Sequence, residues 1–208
     1  YYSNIVASFS TFVVKALDKL ASLDIRCIAP SHGLIWRSDV QRIFSLYKRF
    51  AGYNTGGGCE KEICIIWGSM YGYTKQGLDA VIKGIEAEKV PYTIHDIPDT
   101  DVSYILGDAY KAAGLILAMP TYEYKMFPPM AYVLDLFERK HITDKTVLRI
   151  GNWGWSGGAK KEYEQKTANL KWNHVEQYEW QGKLLDTDLR LLEERGAELA
   201  RMVKTGVQ

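Results

Sequence analysis

Three segments combine hydroxyls, glycines and aromatic rings in a way that core packing does not require. The first is Gly68-Ser69-Met70-Tyr71-Gly72-Tyr73-Thr74, set between an apolar run and a helix-period segment. Hydroxyls and a turn-forming glycine ahead of a helix let successive backbone N–H groups close around a phosphate, where the helix dipole also favours negative charge. No Lys lies between Gly68 and Thr74 and no GxGxxG occurs, so this is neither a Walker loop nor a dinucleotide fingerprint. Neutral donors of this kind suit a monophosphate in a tight loop. A Ser- or Thr-capped helix after a strand would use the same residues, and the segment alone leaves both readings open.

The second segment is Pro120-Thr121-Tyr122-Glu123-Tyr124, and the third is Gly151-Asn152-Trp153-Gly154-Trp155-Ser156-Gly157-Gly158. Two tryptophans among four glycines make a poor core element and a good platform. The rings offer faces to a flat ligand, and the glycines let backbone N–H groups approach it. An exposed Gly-rich turn anchored by its tryptophans is the other reading.

The elements that must position these segments follow from periodicity. Strand-like runs are Ile63–Gly68, Tyr92–Ile97, Gly114–Met119, Thr146–Trp153 and His174–Tyr178. Helix-like segments are Lys75–Glu88, Val102–Lys111, Phe127–Arg139, Ala159–Leu170 and Leu185–Lys204. Regular alternation of this kind predicts a parallel sheet covered on both faces. The continuous apolar runs Ile63–Ile66 and Leu115–Met119 predict its central strands. In such sheets ligands bind beyond the carboxyl ends of the strands, at the topological switch point. All three segments fall at that edge, and their convergence on a slot for a phosphorylated planar ring is stronger evidence than any one of them.

Ahead of this unit, residues 1–59 carry seven Lys/Arg against three Asp/Glu, whereas the remainder is net acidic. The sign changes at Gly56-Gly57-Gly58, which reads as a flexible linker. Before it, Val6, Phe9, Val13, Ala16, Leu17 and Leu20 predict an amphipathic helix, Ile25–Ala29 a short strand stopped by Pro30, and Asp39–Phe50 a second helix. About fifty residues with one strand bury too little surface to stand alone, so this part is expected to need a partner.

Composition narrows the function classes. The 208 residues carry a formal net charge of +1, so no overall basic field exists to hold nucleic acid or an anionic membrane. No apolar run approaches the ~18 residues of a membrane span. Three cysteines cannot all pair and no CxxC occurs, which points to a reduced, cytoplasmic compartment. Cys59 and Cys64 read as a linker cysteine and an apolar strand cysteine, with a metal or redox role as the other reading. The opening Tyr1-Tyr2-Ser3-Asn4, without Met or leader features, is expected to lie inside a longer protein.

These motifs carry a resemblance. Residues 60–205 look like a flavodoxin-type FMN domain, with the segment from Ser69 to Thr74 matching its phosphate loop and the other two its ring-contacting loops. Tyr1-Tyr2-Ser3-Asn4, Ile28-Ala29-Pro30-Ser31-His32-Gly33 with Trp36-Arg37, the phosphate loop and Gly154-Trp155-Ser156-Gly157-Gly158 resemble, in order, the flavodiiron proteins, or A-type flavoproteins. That family fuses a metallo-β-lactamase-like diiron domain to a flavodoxin-like domain and reduces oxygen to water or nitric oxide to nitrous oxide. The resemblance implies an α/β, flavodoxin-like, doubly wound five-stranded parallel sheet preceded by a metallo-β-lactamase-like fragment. Residues 1–52 would be that remnant, 53–60 a linker and 61–208 the FMN-binding domain.

By the same resemblance the cofactor-binding residues are Ser69, Met70, Tyr71, Gly72, Tyr73, Thr74, Pro120, Thr121, Tyr122, Glu123, Tyr124, Asn152, Trp153, Gly154, Trp155, Ser156, Gly157 and Gly158. His32 matches the last histidine ligand of the diiron site, whose other ligands would lie upstream of Tyr1. Read alone, His32 is a loop histidine, and His95, His141 and His174 have no partner at ligand spacing. The family commonly carries amides where this chain has Glu123-Tyr124, and a carboxylate beside the ring would bear on its redox potential. FMN, a diiron centre in the parent protein, a small electron-donor protein or reduced cofactor, O2 or NO as substrate, and a homodimer or homotetramer are what the resemblance implies. An electron-carrier module with no substrate chemistry of its own is the alternative.

Overall fold

Apolar side chains on both faces of β1 (Glu60–Trp67) and β3 (Ala112–Ala118) make these the central strands of a parallel sheet in the computed structural model, which describes residues 1–206. β2 (Tyr92–Asp96) lies outside β1, and β6 (Thr146–Trp153) lies beyond β3. Ile63 stands opposite Tyr92 on one side and Gly114 on the other, and Gly114 opposite Thr146. The chain leaves β1 in one direction to form β2 and returns to the opposite side as β3. The switch point therefore lies between the carboxyl ends of β1 and β3.

The alternation of β1 sorts the core into two halves. Cys64 and Ile66 join Leu115, Leu117 and Val147 under α4 (Val102–Lys111), α5 (Pro128–Arg139) and α6 (Ala159–Thr167). Ile63 and Ile65 join Ile116 and Leu148 under α3 (Tyr73–Glu88) and α7 (Asp186–Thr205). α3 and α7 touch through glycines: a Cβ on Gly84 would lie 2.0 Å from the Glu193 carbonyl, and one on Gly196 2.1 Å from that of Val81. Among the described residues no helix is long and apolar enough to cross a membrane.

The fifth sheet position differs in detail from the expected strand His174–Tyr178. It consists of β7 (Asn173–His174) and β8 (Tyr178–Gln181), both parallel to β6. Val147 faces His174 and Ile150 faces Tyr178, so two residues of β6 stand opposite three, a bulge that begins after the Val175 N–H bond to the Val147 carbonyl. A short hairpin of β4 (Thr121–Tyr122) and β5 (Lys125–Met126), which periodicity cannot reveal at two residues per strand, follows β3.

The first fifty residues lean on the α4 side of the sheet. α1 (Ser10–Leu20) packs on α2 (Val40–Gly52). Tyr2 is wedged edge-on against Tyr47 and beside Phe50 and Tyr110, and the Tyr110 hydroxyl donates to the Phe50 carbonyl at 2.8 Å. The expected strand Ile25–Ala29 is reduced to one bridge, Ile28 with Trp36, because no further strand lies beside it to extend the ladder. Of the expected inner face of the first helix, Val6 and Val13 reach the core, while Phe9 stands exposed with Ile5 and Phe12. Residues 53–58 form a closed turn, with the Gly57 N–H on the Gly52 carbonyl and the Tyr53 hydroxyl on Glu60.

Candidate functional site

The loop after β1 is tied down at both ends. The Gly68 N–H donates to the Ala118 carbonyl, and the Gly72 N–H donates to Ser69 Oγ at 2.9 Å. Gly72 has φ +84°, which glycine adopts without strain, and it turns the chain into the first turn of α3. The first N–H groups of that helix have no acceptor within it and point toward the loop. Thr74 is fully buried and donates to Asn152 Oδ1 at 2.7 Å, fastening the first loop to the third.

The second loop is the β4–β5 hairpin. Its two turn residues, Glu123 (φ +45°) and Tyr124 (φ +64°), occupy positions that hairpins usually give to Asn-Gly, so the turn is held against a local preference. What holds it is α6. The Met126 N–H donates to Glu162 Oε2 at 2.7 Å, and the Tyr124 carbonyl lies where a Cβ on Gly158 would be, at 2.0 Å. The third loop leaves β6 through Asn152 and Trp153 and is buttressed by the strand beside it. Gly182 N–H donates to the Trp153 carbonyl, and Gln181 Nε2 to that of Gly154.

The three loops meet around a cleft of about 790 Å³, lined by Ser69, Met70, Tyr71 and Tyr73, by Pro120 through Tyr124, by Asn152 through Ser156, and by Gly182. Fourteen of the eighteen residues expected from sequence lie on its wall. Gly72, Thr74, Gly157 and Gly158 stand behind it and shape the loops. Gly182 was not foreseen; its signal is a glycine directly after a strand, at φ +62°. Glu123 is the one charged residue of the lining. Trp155 and Tyr71 are 87% and 83% exposed, so the mouth is walled by rings that little else covers. Thr121 Oγ1 is buried in the wall without a hydrogen-bond partner.

Below this wall, β6 carries a fully buried arginine. Arg149 Nη2 lies 2.6 Å from Glu179 Oε1 of β8 as an ion pair without hydrogen-bond alignment, and none of the three guanidinium nitrogens has a hydrogen-bond partner. The guanidinium packs against Gly151, directly before the wall begins at Asn152.

The histidines stay apart. His32 is exposed with its ring 5.8 Å from that of Tyr1. His95 pairs with Asp108 at 2.9 Å, and His174 lies against Tyr163, where burial pulls its imidazole below the usual range. Among the described residues, no three His, Cys, Asp or Glu side chains gather as a metal site.

No protein-family model matches the chain. A nitric oxide reductase from Moorella thermoacetica is 30% identical over 173 residues, which span 82% of this chain and 42% of that protein. The flavo di-iron protein of Thermotoga maritima, solved as a point variant, superposes with a TM-score of 0.85 at 25% identity over 98% of this chain and 50% of that one. Rubredoxin oxygen:oxidoreductase from Desulfovibrio gigas shares the fold, with a TM-score of 0.90 at 20% identity over 99% of this chain and 51% of that one. The chain thus spans about half the length of the proteins it matches. Sequence and fold together make it the counterpart of the C-terminal, flavodoxin-like part of the flavodiiron proteins.

Proposed function

We propose that the cleft binds one FMN per chain, without covalent linkage, and that the domain passes electrons to the diiron centre of an oxygen or nitric oxide reductase. The observation that carries the reading is the convergence of the Ser69–Thr74 turn and two aromatic loops on one cleft. Its volume lies in the 300–1,000 Å³ range of small-molecule sites. The residues present fit the group. The Thr121 hydroxyl is buried and unsatisfied, which calls for a ligand or water, and Trp153, Tyr122 and Tyr124 offer ring faces. Bound FMN would supply the electron transfer. The chain's own groups grip the phosphate at the Ser69–Thr74 turn, cover the ring with Trp153 and the hairpin, and keep water from its inner edge.

Lys75, the nearest cation past the loop, is already engaged with Asp79 and lies over the Trp67 ring at 5.8 Å. The grip on phosphate is therefore a matter of backbone and hydroxyl donors. Ser69→Ala is expected to weaken FMN about 10-fold, through the loss of the hydrogen bond that holds Gly72, and Lys75→Ala less than that. A titration with the order reversed would refute the assignment. Glu123→Gln removes the one charge of the lining and is expected to raise the flavin midpoint potential by tens of millivolts, on the order of a Coulomb term at a solvated site. An unchanged or lowered potential would place the carboxylate away from the ring.

Residues 1–52 would complete a metallo-β-lactamase-like domain, 53–60 the joint and 61–208 the FMN domain, in a cytoplasmic protein fed by a small electron donor. The exposed Ile5, Phe9 and Phe12 support this over a free carrier, which has no use for such a face. His32 would supply one iron ligand. Rings at the mouth of the cleft favour close docking of an acceptor, as in a head-to-tail dimer where one subunit's flavin meets the other's diiron centre. Heat release of the cofactor and its identification by mass test the core of the reading. One FMN per chain is expected; FAD, NAD or no cofactor would overturn it.

A further inference from the structure

At the opposite end of the sheet from the cleft, Lys145 enters β6 with 1% of its surface exposed. Its ammonium is held by two carbonyls, of Tyr110 at 2.9 Å and Ala112 at 2.8 Å, at the end of α4 and the start of β3. The third donor goes to a sulfur: Nζ lies 3.0 Å from Cys59 Sγ. Burial pulls the Lys145 ammonium below the usual lysine range, against the opposing pull of Cys59, Cys64 and Asp144, so the neutral amine is more accessible than on a surface lysine. Cys59 is only partly buried, in the turn that joins the first fifty residues to β1, and its thiol also lies near the Tyr53 carbonyl. The other two cysteines lack this setting. Cys27 is exposed, and Cys64 is sealed inside β1, where burial pushes its thiol up to about 12. One thiol that a small oxidant can reach thus touches one buried amine.

The geometry points to a reversible covalent cross-link between Cys59 and Lys145, formed under peroxide, that ties the segment before β1 to the base of β6. Hydrogen peroxide oxidises the Cys59 thiol to a sulfenic acid and releases one water. The lone pair of Lys145 Nζ then attacks the sulfur, an S–N bond forms as the S–O bond breaks, and hydroxide leaves with the proton lost by nitrogen as a second water. The sulfur gives up two electrons to peroxide, and the protein loses two hydrogens in all. The step parallels the condensation of a sulfenic acid with a backbone nitrogen. Two equivalents of an added thiol reverse it, restoring the thiol and the amine and leaving a disulfide of the reductant. As the neutral amine, Nζ has two N–H donors for the Tyr110 and Ala112 carbonyls and a lone pair free for the sulfur, so condensation competes with escape to solution thiols.

The test uses the whole chain with Cys27→Ser, so that the exposed cysteine does not contribute. After peroxide treatment, peptide mapping is expected to show the Cys59 and Lys145 peptides joined, two hydrogens lighter than their sum, and separated again by dithiothreitol. Cys59→Ser should abolish the link, and Lys145→Met should leave a sulfenic acid that dimedone traps. Should Lys145→Met not fold, the Cys59→Ser comparison still decides, since the thermal midpoint should rise on oxidation in the Cys27→Ser chain and not in Cys59→Ser. Recovery of Cys59 as free thiol, sulfenic or sulfinic acid, with no joined peptide, would overturn the proposal.

Discussion

Glu179→Gln is expected to cost about 3 kcal/mol of stability, or roughly 10 °C in the thermal midpoint of a chain this size. Glu179 is the ion-pair partner of Arg149, whose side chain is completely buried and whose guanidinium nitrogens make no hydrogen bond. Removing the carboxylate leaves a cation in the core with nothing to offset its desolvation, and breaking such a pair costs about 3–5 kcal/mol. Glu179 keeps about a fifth of its own side-chain surface in solvent, which argues for the lower end. The pair as a whole is another matter. Two desolvated charges with incomplete hydrogen bonding gain little over apolar groups of similar volume. Arg149→Met combined with Glu179→Leu should therefore recover most of the loss. Thermal and urea unfolding of the single and double variants measure both effects. A loss under 1 kcal/mol for Glu179→Gln would mean that Arg149 finds another acceptor.

Arg149 also shows where the sequence is hard to read. The strand-like run Thr146–Trp153 identifies the strand, yet an arginine within it gives no sign whether it snorkels or stays under a helix. The answer depends on Glu179, thirty residues away, and on a bulge between β7 and β8 that no local pattern announces. The central strands were legible because burial on both faces demands continuous apolar runs, as in Ile63–Ile66. The loops at the edge were legible because Trp153 and Trp155 among glycines make no sense in a core. The hairpin was not, because two residues per strand leave no period to detect. Its turn residues, Glu123 and Tyr124, also contradict the usual turn chemistry and are held by contacts from α6. Thr74 could be placed near the cleft from sequence, but not its bond to Asn152, which joins two loops 78 residues apart.

The adjacent glycines of the third loop should behave differently, and the difference tests how the cleft is built. Gly158→Ala is expected to weaken FMN binding about 100-fold, near 2.8 kcal/mol, while leaving the thermal midpoint of the apoprotein within a few degrees. Gly158 has an extended φ of 163°, so backbone strain is not the reason. The reason is contact: the added Cβ would lie 2.0 Å from the Tyr124 carbonyl oxygen and 2.5 Å from its carbon, and backbone cannot swing aside as a flexible side chain can. Either α6 or the β4–β5 hairpin must move. α6 is anchored in the core by Tyr163, whereas the hairpin is two residues per strand and is held to α6 by the Met126–Glu162 hydrogen bond. The hairpin therefore yields, and it carries Thr121 through Tyr124, one whole wall of the cleft. At Gly157 an added Cβ meets only the Trp153 ring at 3.8 Å, ordinary van der Waals contact, so Gly157→Ala should change FMN affinity by less than about threefold. Fluorescence titration of both variants with FMN, alongside thermal unfolding, separates loss of the wall from loss of the fold. Equal effects of the two substitutions would show that the hairpin wall does not hold the ring.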